Sequence, residues 1–408
     1  MEHSTLYDRA AGLTQGSLPI WQNRVVIDVD NFAHNVREIK RHTGDDVELI
    51  AVVKDDCYGH GADVLSNVAL EEGADVLAVV NIEEAIALRT SGVTAPVLIL
   101  GVTGPSQLDE IPRRGLMTIV CQVDIARLLN EAAKRVGTSV PVFIKIDTGM
   151  GRLGLKVDEI DDFASAIRGL ESLSIEGLIT HLPNADETDK SFAYEQLAAF
   201  KGIIERLRGT GLELPRNHIA NSAAIVDIPE TRLEMVRAGL ILYGPHSSPG
   251  VSSVLDLRPV MSFKTPIVYL KRMKRGEKVS YKREYTVPAD DSLIATTPVG
   301  YRHGYFRAFS NRAEGLYRGR RVPVAGVICM DMTTFDLGPD AEAELGDEIT
   351  LLGRDGDEVI TVEELAELAR TITYEIMTGL GMRSRRYFVR GGEIFGEEPA
   401  PGHRLIGE

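Results

Sequence analysis

The chain is poor in the features that would place it in several broad classes at once. Its 408 residues include three cysteines, Cys57, Cys121 and Cys329, with no CxxC spacing and no even-numbered framework. Neither a disulfide scaffold nor a zinc-ligand pattern is suggested, so a reduced, intracellular chain without a metal is expected. No apolar run reaches membrane-spanning length, and the opening MEHSTLYDRAAGLTQGSLPI lacks a basic stretch followed by an apolar core. Positive charge is also in deficit. Against 60 acidic residues stand 45 basic ones, and the net charge of −15 repels phosphate backbones and anionic lipid. These absences predict a cytoplasmic protein with neither nucleic acid nor membrane as partner, and no internal repeat or low-complexity tract contradicts that.

The length calls for two domains, one of which can be an α/β barrel of roughly 250 residues. Strand-like runs recur at Val25 to Val29, Leu49 to Lys54, Asp75 to Val80, Pro96 to Leu100, Met117 to Cys121, Val142 to Asp147, Ile175 to His181, His218 to Ala220 and Met235 to Leu242. Between them lie segments with apolar spacing near 3.6, such as VDIARLLNEAAKRVG, which ends in basic residues and Gly137 as a helix terminus should. Alternating strands and helices imply parallel βαβ units. The runs exceed an eight-stranded barrel by one, so the first, Val25 to Val29, is expected outside it. After about Leu255 the texture turns β-rich, interrupted by VEELAELARTI behind the candidate N-cap Thr361. The expected architecture is α/β: an arm over residues 1–23, a (β/α)8 barrel over 24–255, and a mainly β domain over 256–408.

In such a barrel the chemistry gathers where the strands end. Those ends carry Lys54 with Tyr58 in AVVKDDCYGHGA, Lys145 and Arg152 in KIDTGMGRLG, His181, Asn221 with Ser222, and Arg237 in MVRAGLILYG. A lysine at the end of a buried strand loses hydration, which favours the neutral amine that attacks a carbonyl, although a lone lysine can equally snorkel into solvent. Tyr58, Ser222 and the backbone near Gly239 and Leu240 suit a phosphate dianion. Arg237 suits the nitrogen of a pyridine ring, since a guanidinium keeps its proton there. Singly, His181 reads as a core histidine, Ser222 as a helix N-cap and both arginines as ion-pair residues; together they converge on one barrel face.

These motifs, with PVGY at Tyr301 and ICMD at Met330, resemble the alanine racemases along nearly the whole chain. The resemblance implies pyridoxal 5'-phosphate on Lys54, which would be one of two acid/base groups, with Tyr301 of a partner subunit as the other. It implies Arg152 at the cofactor's phenolic oxygen and the substrate carboxylate, a Lys145 that can be carbamylated, His181 beside the tyrosine, and the Met330 backbone at the substrate carboxylate. A head-to-tail homodimer with composite sites follows from the same likeness. Departures cluster near the site: Asp55, Asp56 and Cys57 after the lysine, Arg302 and His303 after Tyr301, Val327 for a usual arginine, and Met382 for a usual tyrosine. They open the alternative of a larger or charged substrate such as serine, lysine, arginine or glutamate. A decarboxylase on the same cofactor, or a cofactor carrier without turnover, are more distant readings.

Overall fold

In the computed structural model residues 21–246, 250–252 and 254–400 are described, so most of the expected arm lies outside the described residues. They fall into two compact units. One combines residues 26–261 with the C-terminal segment from Thr371; the other holds residues up to Val25 and Ser262–Arg370. A single cut at 255/256 therefore does not separate the units, because the chain returns to the first of them after Arg370.

The first unit is a ring of parallel strands. After β1 (Arg24–Asp28) come β2 (Glu48–Val52), β3 (Val76–Val79), β4 (Val97–Ile99), β5 (Met117–Val120), β6 (Val140–Lys145), β7 (Leu173–Ile179) and β8 (Met235–Ala238). The parallel order runs β7-β6-β5-β4-β3-β2-β8, with Ile50 beside Val76 and Ile144 beside Leu178. Between β7 and β8 the segment 217–220 supplies the eighth position: His218 bridges Ile179, and Ala220 O accepts the Arg237 amide at 3.0 Å. The strands VLAV and MTIV are buried at every residue, as parallel strands covered on both faces must be. The expected surplus strand is β1, which lies outside this ring and is hydrogen-bonded to Arg386–Arg390.

Two strands end earlier than their apolar runs. β2 stops at Val52, and Lys54 opens a separate turn. β8 stops at Ala238 because the backbone folds over at Gly239 into a short 3-10 turn, Leu240–Tyr243. The helix Val123–Val136 ends at Gly137 with Lys134 and Arg135 in its last turn, as its sequence predicts. The C-terminal segment adds the helix Thr373–Gly381 and the hairpin Arg386–Arg390 with Glu393–Glu398.

The second unit is mainly antiparallel β. Glu314–Tyr317 pairs with Arg320–Pro323 and with Glu348–Asp355, which also pairs with the strand Met261–Pro266. A three-stranded sheet joins Tyr269–Met273, Ser292–Thr297 and Thr333–Asp336. Lys278–Val279 and Tyr285–Thr286 form a short ladder around a turn at Tyr281–Arg283. The helix Val362–Ala369 begins behind Thr361, whose side chain accepts the Glu364 amide.

Candidate active site

The turn after β2 is built from unfavourable backbone. Asp55, Asp56, Cys57 and Tyr58 are consecutive left-handed residues with φ of 51°, 55°, 54° and 53°. Each costs about 1–2 kcal/mol for a residue with a Cβ, so surrounding contacts must hold the turn in place. The Asp55 amide donates to Glu84 Oε1 at 2.7 Å, and Glu84 is in turn fixed by the Val80 amide. Asp56 Oδ1 accepts the Ala62 amide at 2.7 Å, and His60 Nδ1 lies 2.9 Å from Cys57 O. The turn presents two side chains. Tyr58 is buried, its ring 5.0 Å from that of Tyr243 and 5.5 Å from that of Tyr374. Lys54 remains 34 % exposed, and its Nζ pairs with Asp55 Oδ2 at 2.6 Å. The expectation of a dehydrated lysine on a buried strand is thus corrected: the strand ends two residues earlier, and the ammonium is balanced by a neighbouring carboxylate.

A cavity of about 590 Å³ opens at this end of the barrel. Lys54, Tyr58, Lys145, Arg152, His181, Ser222, Arg237, Gly239 and Leu240 all line it, so the barrel residues singled out from the sequence meet at one place. Its size and its few convergent polar groups suit a small-molecule site.

Arg237 is the most constrained of these groups. Its NH1 donates to His218 Nδ1 at 3.0 Å and its NH2 to Thr180 O at 2.8 Å, with Ile219 O at 3.3 Å and His181 Nδ1 at 3.4 Å. Burial lowers the guanidinium to about 10, which still leaves it protonated at neutral pH. Burial first, then the charge of Arg237, brings His181 down to about 3, so that imidazole is neutral. Lys145 falls to about 7, chiefly through burial and secondarily through Arg237 and Arg152. Arg152 is exposed on a loop closed by the Ile146–Leu155 bridge, where Asp147 Oδ1 accepts the amides of Gly149 and Gly151.

The phosphate-like cradle is equally specific. Ser222 is the first residue of the helix Ser222–Asp227 rather than its cap; Asn221 is the cap, its side chain accepting the Ala224 amide. Ser222 Oγ instead accepts the Gly239 amide at 2.9 Å, which leaves its own O–H free to donate into the cavity. A Cβ at position 239 would lie 2.9 Å from the Tyr58 hydroxyl, so only glycine lets the backbone approach Tyr58 and Ser222 this closely. Clustered donors, a protonated guanidinium and an amine suit a phosphorylated pyridine aldehyde, and the residues present fit that group. Among the described residues, no cluster of His, Cys, Asp or Glu is suited to a metal ion.

Tyr301 and Met330 are placed elsewhere, in the second unit, where they are 36 % and 53 % exposed. The Tyr301 amide donates to Cys329 O at 3.1 Å and the Arg302 amide to Met330 O at 3.0 Å. The same segment supports another exposed tyrosine that sequence reasoning passed over. Tyr281 is 67 % exposed and follows Ser280, whose Oγ donates to Val327 O at 2.6 Å. Ser280, Lys282 and Arg283 all have positive φ, at 65°, 57° and 55°. Tyr374 was also missed as a site residue. It lines the cavity from the C-terminal helix and, being largely buried, is pushed up to about 12.

Two family models match the chain: "Alanine racemase, N-terminal domain" over residues 27–247, and "Alanine racemase, C-terminal domain" over 260–388. Alanine racemase 2 of Caldanaerobacter subterraneus subsp. tengcongensis is 41 % identical across 91 % of this chain and 96 % of its own. Alanine racemase 1 of Clostridium acetobutylicum is 40 % identical across 92 % and 97 %. Among solved structures, the alanine racemase of Bacillus anthracis with bound L-Ala-P superposes with a TM-score of 0.86 at 34 % identity, covering 94 % of this chain and 99 % of that one. A histidine racemase from Leuconostoc mesenteroides subsp. sake superposes with a TM-score of 0.83 at 25 % identity, covering 92 % and 100 %.

Proposed function

The chain belongs to the alanine racemase family, and from that premise we propose that it interconverts L- and D-alanine by proton transfer at Cα, using pyridoxal 5'-phosphate carried on Lys54. The observation that carries the reading is the convergence of Lys54, Arg237, Ser222 and Tyr58 on one cavity at the C-terminal ends of the barrel strands. When bound, pyridoxal phosphate supplies an electron-withdrawing ring that acidifies the Cα–H of the attached amino acid.

The rest belongs to the protein. Tyr58, the Ser222 hydroxyl and the backbone at Gly239 and Leu240 bind the phosphate, with the Gly239 amide acting through Ser222. Arg237 is assigned to the pyridine nitrogen. It stays protonated and would donate a hydrogen bond there without giving up its proton. Arg152 is assigned to the cofactor's phenolic oxygen and the substrate carboxylate. His181 serves as a neutral hydrogen-bonding partner, and the Met330 backbone is assigned to the substrate carboxylate. Lys145, lowered to about 7 by burial, offers a neutral amine for carbamylation, which would place a negative charge beside Arg152.

Racemisation needs acid/base groups on opposite faces of Cα. Lys54 is assigned to one face and a tyrosine of the second unit to the other. The sequence points to Tyr301. The backbone favours Tyr281, because the three positive-φ residues that flank it, Ser280, Lys282 and Arg283, present an exposed side chain there, and strain of that kind is retained where it serves a site. The segment Val327–Met330, which carries Met330, is bonded by the Tyr301 amide and by Ser280, the residue before Tyr281. Their exposure fits a homodimer in which each chain supplies this cluster to its partner's cavity. Mixing a Lys54→Ala chain with a Tyr281→Phe chain tests that: composite sites regenerate one intact site per mixed dimer and recover activity, whereas sites within one chain recover none.

A second substrate reading, a larger or charged amino acid, is favoured by Asp55 against Lys54 and by the likeness to a histidine racemase. Turnover of L-alanine compared with serine, lysine, arginine, glutamate and histidine decides between them. Alanine leading by a wide margin supports the first reading.

A further inference from the structure

The left-handed turn carries both Lys54 and Tyr58, and much of what holds it comes from the far end of the chain. Arg386, on the C-terminal hairpin, is buried to 3 % exposure. Its NH1 donates to Asp56 Oδ2 and also to Gly59 O at 3.2 Å, while its NH2 donates to Glu398 Oε2 at 2.7 Å. The guanidinium thus joins a side chain and a carbonyl of the turn to a second carboxylate on the hairpin. Asp56 is held at both ends, since its other oxygen accepts the Ala62 amide.

The packing is equally close. A Cβ at Gly381 would lie 1.9 Å from Gly59 O, so the helix Thr373–Gly381 rests directly on the turn's backbone. That helix also brings Tyr374 against Tyr58. Asp56 therefore faces away from the cavity it was expected to influence, and its carboxylate is not among the groups lining that cavity.

We propose that Arg386, acting through Asp56 and Gly59, is a positioning residue of the cofactor site: it clamps the left-handed turn in the conformation that presents Lys54 and Tyr58. The proposal rests on the assignment of pyridoxal phosphate to this cavity. Its chemical logic is preorganisation. A turn of four unfavourable residues left unclamped populates other conformations, and the apparent affinity of any ligand falls by the fraction of chains in which the competent turn is formed. Arg386 does this without touching the cofactor. A guanidinium suits the task because its fixed fork serves several acceptors at once, which an ammonium does at only one point.

The test begins with wild-type protein stripped of cofactor and titrated with pyridoxal phosphate, following the visible absorbance of the lysine-bound form. Failure of the wild type to bind sinks the functional assignment and is seen before any variant is made. Arg386→Met, which keeps much of the stem but removes the fork, is then expected to raise the apparent Kd at least tenfold. Arg386→Lys should recover part of the loss. In the cofactor-free protein, hydrogen exchange at residues 55–61 should quicken in Arg386→Met while the helix Val123–Val136 keeps its protection, a local signature that a general loss of stability does not give. If Arg386→Met does not fold, Asp56→Ala cuts the same bond from the other side and is read identically. Because both act on one clamp, the double variant should bind no worse than the weaker single one. A folded variant with an unchanged Kd, or with exchange raised equally in the turn and that helix, overturns the proposal.

Discussion

Two turns of this molecule share one backbone peculiarity and differ in everything around it. Asp55–Tyr58 in the barrel unit is an unbroken run of positive φ, and Ser280–Arg283 in the second unit has positive φ at Ser280, Lys282 and Arg283, in both cases with side chains that dislike it. The first is locked: Glu84, Ala62, His60 and Arg386 all bond to it, and the aromatic it presents, Tyr58, is buried. The second is anchored at Ser280 and presents an aromatic, Tyr281, to solvent. A group that must bind the same cofactor in every turnover belongs on the first kind of turn. A group that must meet substrate brought by another surface belongs on the second. On the proposed reading, the locked turn supplies Lys54 and Tyr58 to the cofactor site, while the second acid/base group and the Met330 backbone would come from the exposed cluster.

The sharpest way to break this division is at Lys54. Lys54→Ala should remove covalent attachment of the cofactor and lower kcat by more than about 10³-fold, because nucleophile and acid/base group are lost together. Residual turnover within tenfold of wild type would show that the barrel turn is not the anchor.

Next in size are the tyrosines. Tyr281→Phe should leave cofactor absorbance intact and lower kcat by about 10²–10⁴-fold, with the loss unequal in the L-to-D and D-to-L directions when followed by isotope exchange. Tyr301→Phe should cost less. The reverse order would move the second acid/base role to Tyr301 and make the strain at Ser280–Arg283 a feature of the fold alone.

Smaller effects attach to Lys145. Its pKa lies near 7, below the usual 10.5, so between these values the unfolded chain binds more protons than the folded one. Its contribution to stability therefore increases as pH rises through that window, and burial of the ammonium disfavours the fold below about 7. The neutral amine, the form that takes up carbon dioxide, grows over the same lower edge. Intact mass in bicarbonate should show one added carbon dioxide, increasing as pH passes through about 7 and absent from Lys145→Ala.

The barrel was legible in the sequence because parallel strands are buried on both faces and so read as apolar runs, and because the residues at their ends sit within a few positions of those runs. Lys54, Arg237, Ser222 and Lys145 could be placed by that reasoning alone. The ends of the runs were less legible: β2 and β8 stop where the backbone turns under Lys54 and Gly239, and apolar content does not register a change of φ and ψ. Tyr281 escaped for the same reason, since KVSYKREYTV reads as a continuous strand until the positive φ values are seen. Tyr374 and Arg386 escaped because their meaning depends on contacts reaching back more than three hundred residues. Asp56 was visible beside Lys54 but misread, because only the fold shows that its carboxylate turns toward Arg386 instead of the cavity.

The central claim is that the cavity holding Lys54 exchanges the proton at the Cα of alanine when pyridoxal phosphate is present. Incubating the cofactor-loaded protein with L-alanine in deuterium oxide, and following optical rotation alongside deuterium at Cα, tests it most directly. The account predicts that rotation decays to zero as deuterium enters both enantiomers, with no release of carbon dioxide. Unchanged rotation without deuterium uptake, in protein that has bound the cofactor, would contradict it.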